Sequence, residues 1–172
     1  MKAEDLWRMS RDELAREMSR GAPVDPEALA DREYRGVSLG LGSLVERLTW
    51  KTFKKVFCRD ADGSLRGWNV RIEQAGVSGP YVPKKKGGAP WTFGHYAVVA
   101  SADGIVLDYG RYARRLDPMR FVRDPLVSVR RGDATLLLGS TILELPTGRL
   151  ATPSYFTLEL DGPLSRREPP PS

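Results

Sequence analysis

The chain has 172 residues, with 27 Lys and Arg against 22 Asp and Glu, one His and one Cys. The length suits a single domain that can bury its own core, and 41% apolar with 28% charged residues is a globular rather than a disordered balance. A lone Cys excludes a disulfide framework, and one His with one Cys cannot build a zinc-finger or His-rich metal site, so no metal or cofactor is expected. The net charge of +5 is too modest to mark a nucleic-acid binder by itself.

The first 20 residues are charged throughout and lack the apolar core of a secretory signal. No stretch approaches the roughly 18 apolar residues of a membrane span. A reduced, cytoplasmic protein without a membrane span is the expectation.

Leu6, Trp7, Leu14 and Met18 recur at helical spacing, with charges on the other side. Ser10 and Glu13 form a capping box that can split this segment into two short helices. Asp25-Pro26-Glu27 starts another, running to about Ala30, because Asp caps and Pro is preorganised for the first helical position. A third capping box falls at Ser43 and Glu46, ahead of Leu44, Val45 and Leu48.

From Thr49 the period changes. Residues 49–59 are aromatic and β-branched, Asp60 to Gly63 is a turn, and residues 65–74 alternate, with Trp68, Val70 and Ile72 on one face. Two such runs around an Asp-Gly turn read as a hairpin, with a helix over 44–57 as the competing reading. Residues 75–90 form a loop with four Gly, three Pro and the run Lys84-Lys85-Lys86. Such a length is unusual for a connection without function. Strands at 91–100 and 105–109 flank Asp103-Gly104, and further strands follow at 126–131, 135–145 and 155–160. Residues 165–172, with three consecutive prolines, read as a disordered tail.

About seven consecutive strands with tight turns make an antiparallel sheet rather than βαβ units. The predicted fold is α+β, mainly β: a curved antiparallel sheet or lipocalin-like β-barrel preceded by two or three short helices. It forms one domain over 1–164, with a helical segment at 1–48 and the β-structure at 49–162.

Three constellations could carry chemistry. His95, the sole imidazole, shares a sheet face with Asp108 if the intervening loop has two or four residues. A general acid/base enzyme using His95 with Asp108 or a tyrosine follows, against the plainer reading of a packed histidine. Cys58 ends a strand or helix rather than starting a helix, a poor setting for a nucleophile. The aromatic set is the second: Trp50, Phe53, Phe57, Trp68, Trp91, Phe93, His95, Tyr96, Tyr109 and Tyr155 fall on strands or their edges, where a barrel would use them as core or as a ligand lining. The third is basic: Arg111, Arg114 and Arg115, with Arg120, Arg123, Arg130 and Arg131, fall within 21 residues holding only Asp117 and Asp124. That density suits an anionic group or a solvated surface. Few aromatics interleave with it, which disfavours nucleic acid.

Several strings occur together in order: Tyr34-Arg35-Gly36, Phe53-Lys54-Lys55-Val56-Phe57-Cys58-Arg59, Arg66-Gly67-Trp68-Asn69, Leu107-Asp108-Tyr109-Gly110, Leu136 to Gly139, and Ser154 to Glu159. In these blocks the chain resembles an uncharacterised bacterial protein family over roughly 23–159, which implies a bacterial domain and carries no activity. It is also faintly similar to lipocalin-like proteins, with Glu33-Tyr34-Arg35-Gly36 the string nearest their Gly-x-Trp opening. The function expected is a non-enzymatic binding protein for a hydrophobic or amphipathic, lipid-like molecule inside the barrel. Its aromatics would line the site and Arg111, Arg114 and Arg115 would meet an acidic head; a basic interaction module is the other alternative.

Overall fold

A computed structural model describes residues 1–39, 51–101 and 104–171. Eight antiparallel strands run as β1 (Arg32–Leu39), β2 (Thr52–Arg59), β3 (Leu65–Arg71), β4 (Thr92–Ser101), β5 (Gly104–Asp108), β6 (Val122–Arg130), β7 (Asp133–Leu145) and β8 (Gly148–Pro163). Each pairs with the next in sequence, and β8 pairs with β1, so the sheet closes into an up-and-down barrel. Closure removes the edges that a curved open sheet would leave unpaired.

Three helices precede it: α1 (Ala3–Trp7), α2 (Arg11–Arg20) and α3 (Pro26–Leu29). The first two are separated at Ser10, whose hydroxyl accepts from the Glu13 amide while the Glu13 carboxylate accepts from the Ser10 amide. Asp25 caps α3 by accepting from the Glu27 amide. Both caps act as their sequences predict. Leu6 and Leu14 bury α1 and α2 against the outside of the barrel, on Val37, Leu39, Val127, Leu136 and Leu138. By contrast α3 closes one end, placing Leu29 in the internal core with Ile105, Leu126 and Leu158.

Alternation along each strand sends one set of side chains inward. Cross-strand neighbours share a face, so the register traces the interior: Tyr34 opposite Lys55, Lys55 opposite Asn69, Gly67 opposite Tyr96, Val98 opposite Leu107, Leu107 opposite Asp124, and Gly139 opposite Phe156. Small residues make room for rings. A Cβ at Gly139 would lie 2.2 Å from the Phe156 ring, one at Gly36 2.4 Å from Phe53, and one at Gly67 2.5 Å from the Tyr96 hydroxyl. An eight-stranded barrel is just wide enough to be filled this way.

Three expectations change. Residues 32–39, placed within a helical segment, form β1: Tyr34 faces in while Val37 and Leu39 pack under α1 and α2, so both faces are buried and no clean alternation is visible. The run from Thr52 is a strand and not the end of a helix over 44–57; Ser43, Glu46 and the capping box they were expected to form lie outside the described residues. The tail is docked rather than disordered over its first part. Leu164 packs on Val56, Cys58, Trp68 and Val70, the Ser165 amide donates to Glu33 at 2.8 Å, and Arg167 donates to the carboxylate of Asp31 at 3.0 Å. An apolar patch on the outer wall, unrecognisable without the fold, gives Leu164 its partner.

The two ends of the barrel differ. Short connections and α3 lie at one. The other receives the long connections 72–91 and 109–121 and the β7–β8 hairpin tip.

Candidate functional site

The interior near the long-loop end holds a cation. Lys55 lies between Phe53 and Phe57 in strand β2, at two-residue spacing, so the alternation that buries the rings also buries its ammonium. Its Nζ donates to the Tyr109 hydroxyl at 2.7 Å and to Asn69 Oδ1 at 2.9 Å, and lies 3.4 Å from Asp124 Oδ2. Four rings surround it: Tyr96 and Phe156 at 5.0 Å, Tyr109 at 5.4 Å and Phe53 at 5.6 Å from the centroids. Asp124 also accepts from the Tyr109 hydroxyl at 2.8 Å and from Thr141 at 3.0 Å.

Burial lowers the Lys55 pKa, opposed by the Asp124 carboxylate, and burial raises Tyr96 and Tyr109 well above the ordinary phenol value. Desolvation disfavours whichever form is charged, which moves amine and phenol in opposite directions. The network specifies the interior and crowds it. Phe53, Phe57, Tyr96 and Tyr109, all singled out as a lining, are packed with Tyr34 and Phe156 as core.

The rest of that aromatic set is dispersed. Trp68 is buried on the outer wall beneath Leu164. Trp91 stacks under Arg71, whose guanidinium carbon is 3.9 Å from its ring centroid, at the foot of the 72–91 connection. Phe93 is half-buried at the start of β4, opposite Asn69. Tyr155 opposes Leu39 and Ser140 on the outer face. Trp50 lies outside the described residues.

His95 and Asp108 do share a face, because Ser101 pairs with Gly104 and Asp108 opposes Ala97. They engage different partners. The His95 ring lies 5.9 Å from Trp68 and 6.4 Å from Tyr112, and its Nδ1 has no hydrogen-bond partner among the described residues. Burial, helped by the Arg66 charge, holds its pKa below the ordinary value. Asp108 instead accepts from the Gly110 amide at 2.7 Å and pairs with Arg123 at 3.0 Å. Nothing brings Asp108 to the imidazole as an orienting acceptor. Cys58 is buried, and burial raises its thiol pKa despite Arg167 and Arg66 nearby. A protonated thiol under a docked tail is a poor nucleophile.

A concavity lies outside the barrel. A groove of about 800 Å³ runs along the outer faces of β4 to β8, with α2 as one wall. Met18 lines it from the helix; Val99, Val106, Pro125, Ile142 and Tyr155 line it from the sheet. At the long-loop end it meets Arg123 and Arg149, which share the Glu144 carboxylate at 3.1 and 3.4 Å. It was not singled out from the sequence; the signal that could have found it is Val99, Val106 and Ile142 standing where alternation calls for polar groups.

Arg111, Arg114 and Arg115 are exposed on the 109–121 connection, away from the interior, and none of them is held in an ion pair among the described residues. No group of three or more metal-ligating side chains occurs among the described residues, and no helix of the described residues is long and apolar enough to cross a membrane. The sequence matches no family model and no curated protein.

Proposed function

We propose that this protein is a non-enzymatic binding protein for a hydrophobic or amphipathic small molecule, and that the molecule lies in the outer groove rather than in the barrel interior. The groove of about 800 Å³ between α2 and the β4–β8 face carries this reading. Its size falls in the ordinary range for small-molecule sites, and its walls are apolar along most of their length. Arg123 and Arg149 at one end suit an acidic head, which would compete with Glu144 for their guanidinium groups. Ring packing supports a scaffold role for the interior, because Tyr34, Phe57, Tyr96, Tyr109 and Phe156 share one buried core cluster.

Native mass spectrometry and thermal unfolding with a panel of saturated fatty acids and alcohols test the proposal. At a ligand concentration about 100 times the Kd, stabilisation of about 2.7 kcal/mol is expected, a rise of several degrees in Tm. Val106→Asp and Ile142→Asp should each abolish that rise. A homogeneous unliganded mass with no shift for any panel member would sink the proposal; binding that survives both substitutions would place the ligand elsewhere.

A further inference from the structure

Positive charge concentrates at the long-loop end of the barrel. The long-loop connections 72–91 and 109–121 carry seven Lys and Arg against two carboxylates. At the opposite end, segments 24–31, 60–64 and 131–133 carry six carboxylates, four of which are ion-paired with Arg59, Arg66, Arg130 and Arg167. Alternating strand direction places these segments at opposite poles, so the local excess of positive charge lies at the long-loop pole.

The basic pole is also where apolar side chains project into solvent. Leu116 is 93% exposed, Leu150 is 55% and Val82 is 51%. Leu116 and Val82 sit on the two basic connections, and Leu150 lies at the β7–β8 hairpin tip of the same end. Leu116 directly follows Arg114 and Arg115. Folding has nothing to gain from a leucine held this far from the core, whereas a partner does.

From this arrangement we infer that the long-loop pole docks on an anionic lipid bilayer, with Leu116 entering the headgroup boundary and Lys84 to Lys86, Arg111, Arg114, Arg115 and Arg120 meeting acidic headgroups. Basic residues near such a surface and a shallow apolar insertion add to each other, and neither alone anchors firmly. Nucleic acid fits less well: the projecting side chains are aliphatic, while Trp91, Tyr112 and Phe121 are half-buried and do not offer free ring faces for stacking. This surface is independent of what the outer groove holds.

Co-sedimentation of the full chain with vesicles tests it, comparing phosphatidylcholine alone with equimolar phosphatidylcholine and phosphatidylglycerol. Binding is expected only to the anionic vesicles and should be lost as salt shortens the screening length. Each cation removed should weaken it about fivefold, so Arg114→Ser with Arg115→Ser should cost roughly 25-fold. Leu116→Ser should cost up to about tenfold without changing thermal stability, since the side chain touches no core. Lys84→Gln, Lys85→Gln and Lys86→Gln together give a second, separate reduction. Equal binding to neutral vesicles, indifference to salt, Leu116→Ser binding like the wild type, or preference for an oligonucleotide over anionic vesicles would each overturn the inference.

Discussion

Asp124→Asn isolates the energetics of the barrel interior. The side chains of Lys55 and Asp124 are 3% and 5% exposed, and their charged atoms lie 3.4 Å apart. At an effective dielectric constant near 20, Coulomb's law over that distance corresponds to about 5 kcal/mol. Measured losses when one partner of a buried pair is removed are of the same order, about 3–5 kcal/mol. Asparagine keeps an oxygen for Tyr109 or Thr141 but leaves the ammonium without a counter-charge. Against a total stability of about 5–15 kcal/mol, the variant should be severely weakened. Urea unfolding followed by tryptophan fluorescence should show a lower midpoint at unchanged slope.

The deficit should also depend on pH. Without Asp124 the depressed Lys55 pKa falls further, while the unfolded chain keeps the ordinary lysine value of about 10.4. Between the variant's folded value and the less depressed wild-type one, the wild-type barrel keeps the proton that the variant has lost, so the deficit shrinks as pH rises from one to the other. Lys55→Met combined with Asp124→Leu should recover most of the loss, because neither charge then remains to be desolvated. A deficit below about 1 kcal/mol would refute the assignment of Lys55 as a buried, paired cation.

The packing of rings against glycines predicts that Gly139→Ala costs about 1–3 kcal/mol in chemical denaturation and that adding Phe156→Leu recovers part of it; a neutral Gly139→Ala would argue against the filled interior. Deleting residues 164–172 should expose the patch around Trp68 and raise the rate of Cys58 labelling by a thiol reagent about tenfold or more, an unchanged rate counting against a docked tail. Burial, then Arg66, holds the His95 pKa down, so as pH falls below the unfolded value of about 6.5 the unfolded state takes up its proton first and stability drops. His95→Phe should flatten that part of the stability profile, and a wild-type profile already flat there would contradict it. Above about pH 10 the unfolded tyrosines ionise while Tyr34, Tyr96 and Tyr109 stay protonated in the barrel, so stability should fall steeply, read by phenolate absorbance alongside circular dichroism. Phenolate absorbance appearing fully before unfolding would show those hydroxyls to be accessible.

Much of the scaffold is written locally. The capping residues Ser10 and Asp25, the Asp62-Gly63 turn and the alternation of 65–71 act over a few residues, and local rules identify them. β1 escaped because both of its faces are buried, which erases the alternation that marks a strand, and because Gly36, needed beneath Phe53, resembles a linker glycine. Lys55 was half legible. Its spacing from Phe53 and Phe57 predicts an inward direction, but its acceptors Asn69, Tyr109 and Asp124 come from three other strands or their ends.

Composition and pattern by themselves determined an antiparallel β-protein with short helices before it, because hydrogen-bonding geometry and side-chain period are properties of neighbouring residues. They also determined that positive charge gathers in the 109–131 region. Which face of each strand became core was decided by closure of β8 on β1. That closure turned Phe53, Phe57, Tyr96 and Tyr109 inward, three of them around one ammonium, and left Trp68 and Tyr155 outside. It likewise set the basic connections and the exposed Leu116 at one pole and most of the turn carboxylates at the other. These are relations between segments far apart in the chain, and only the register of the closed sheet sets them.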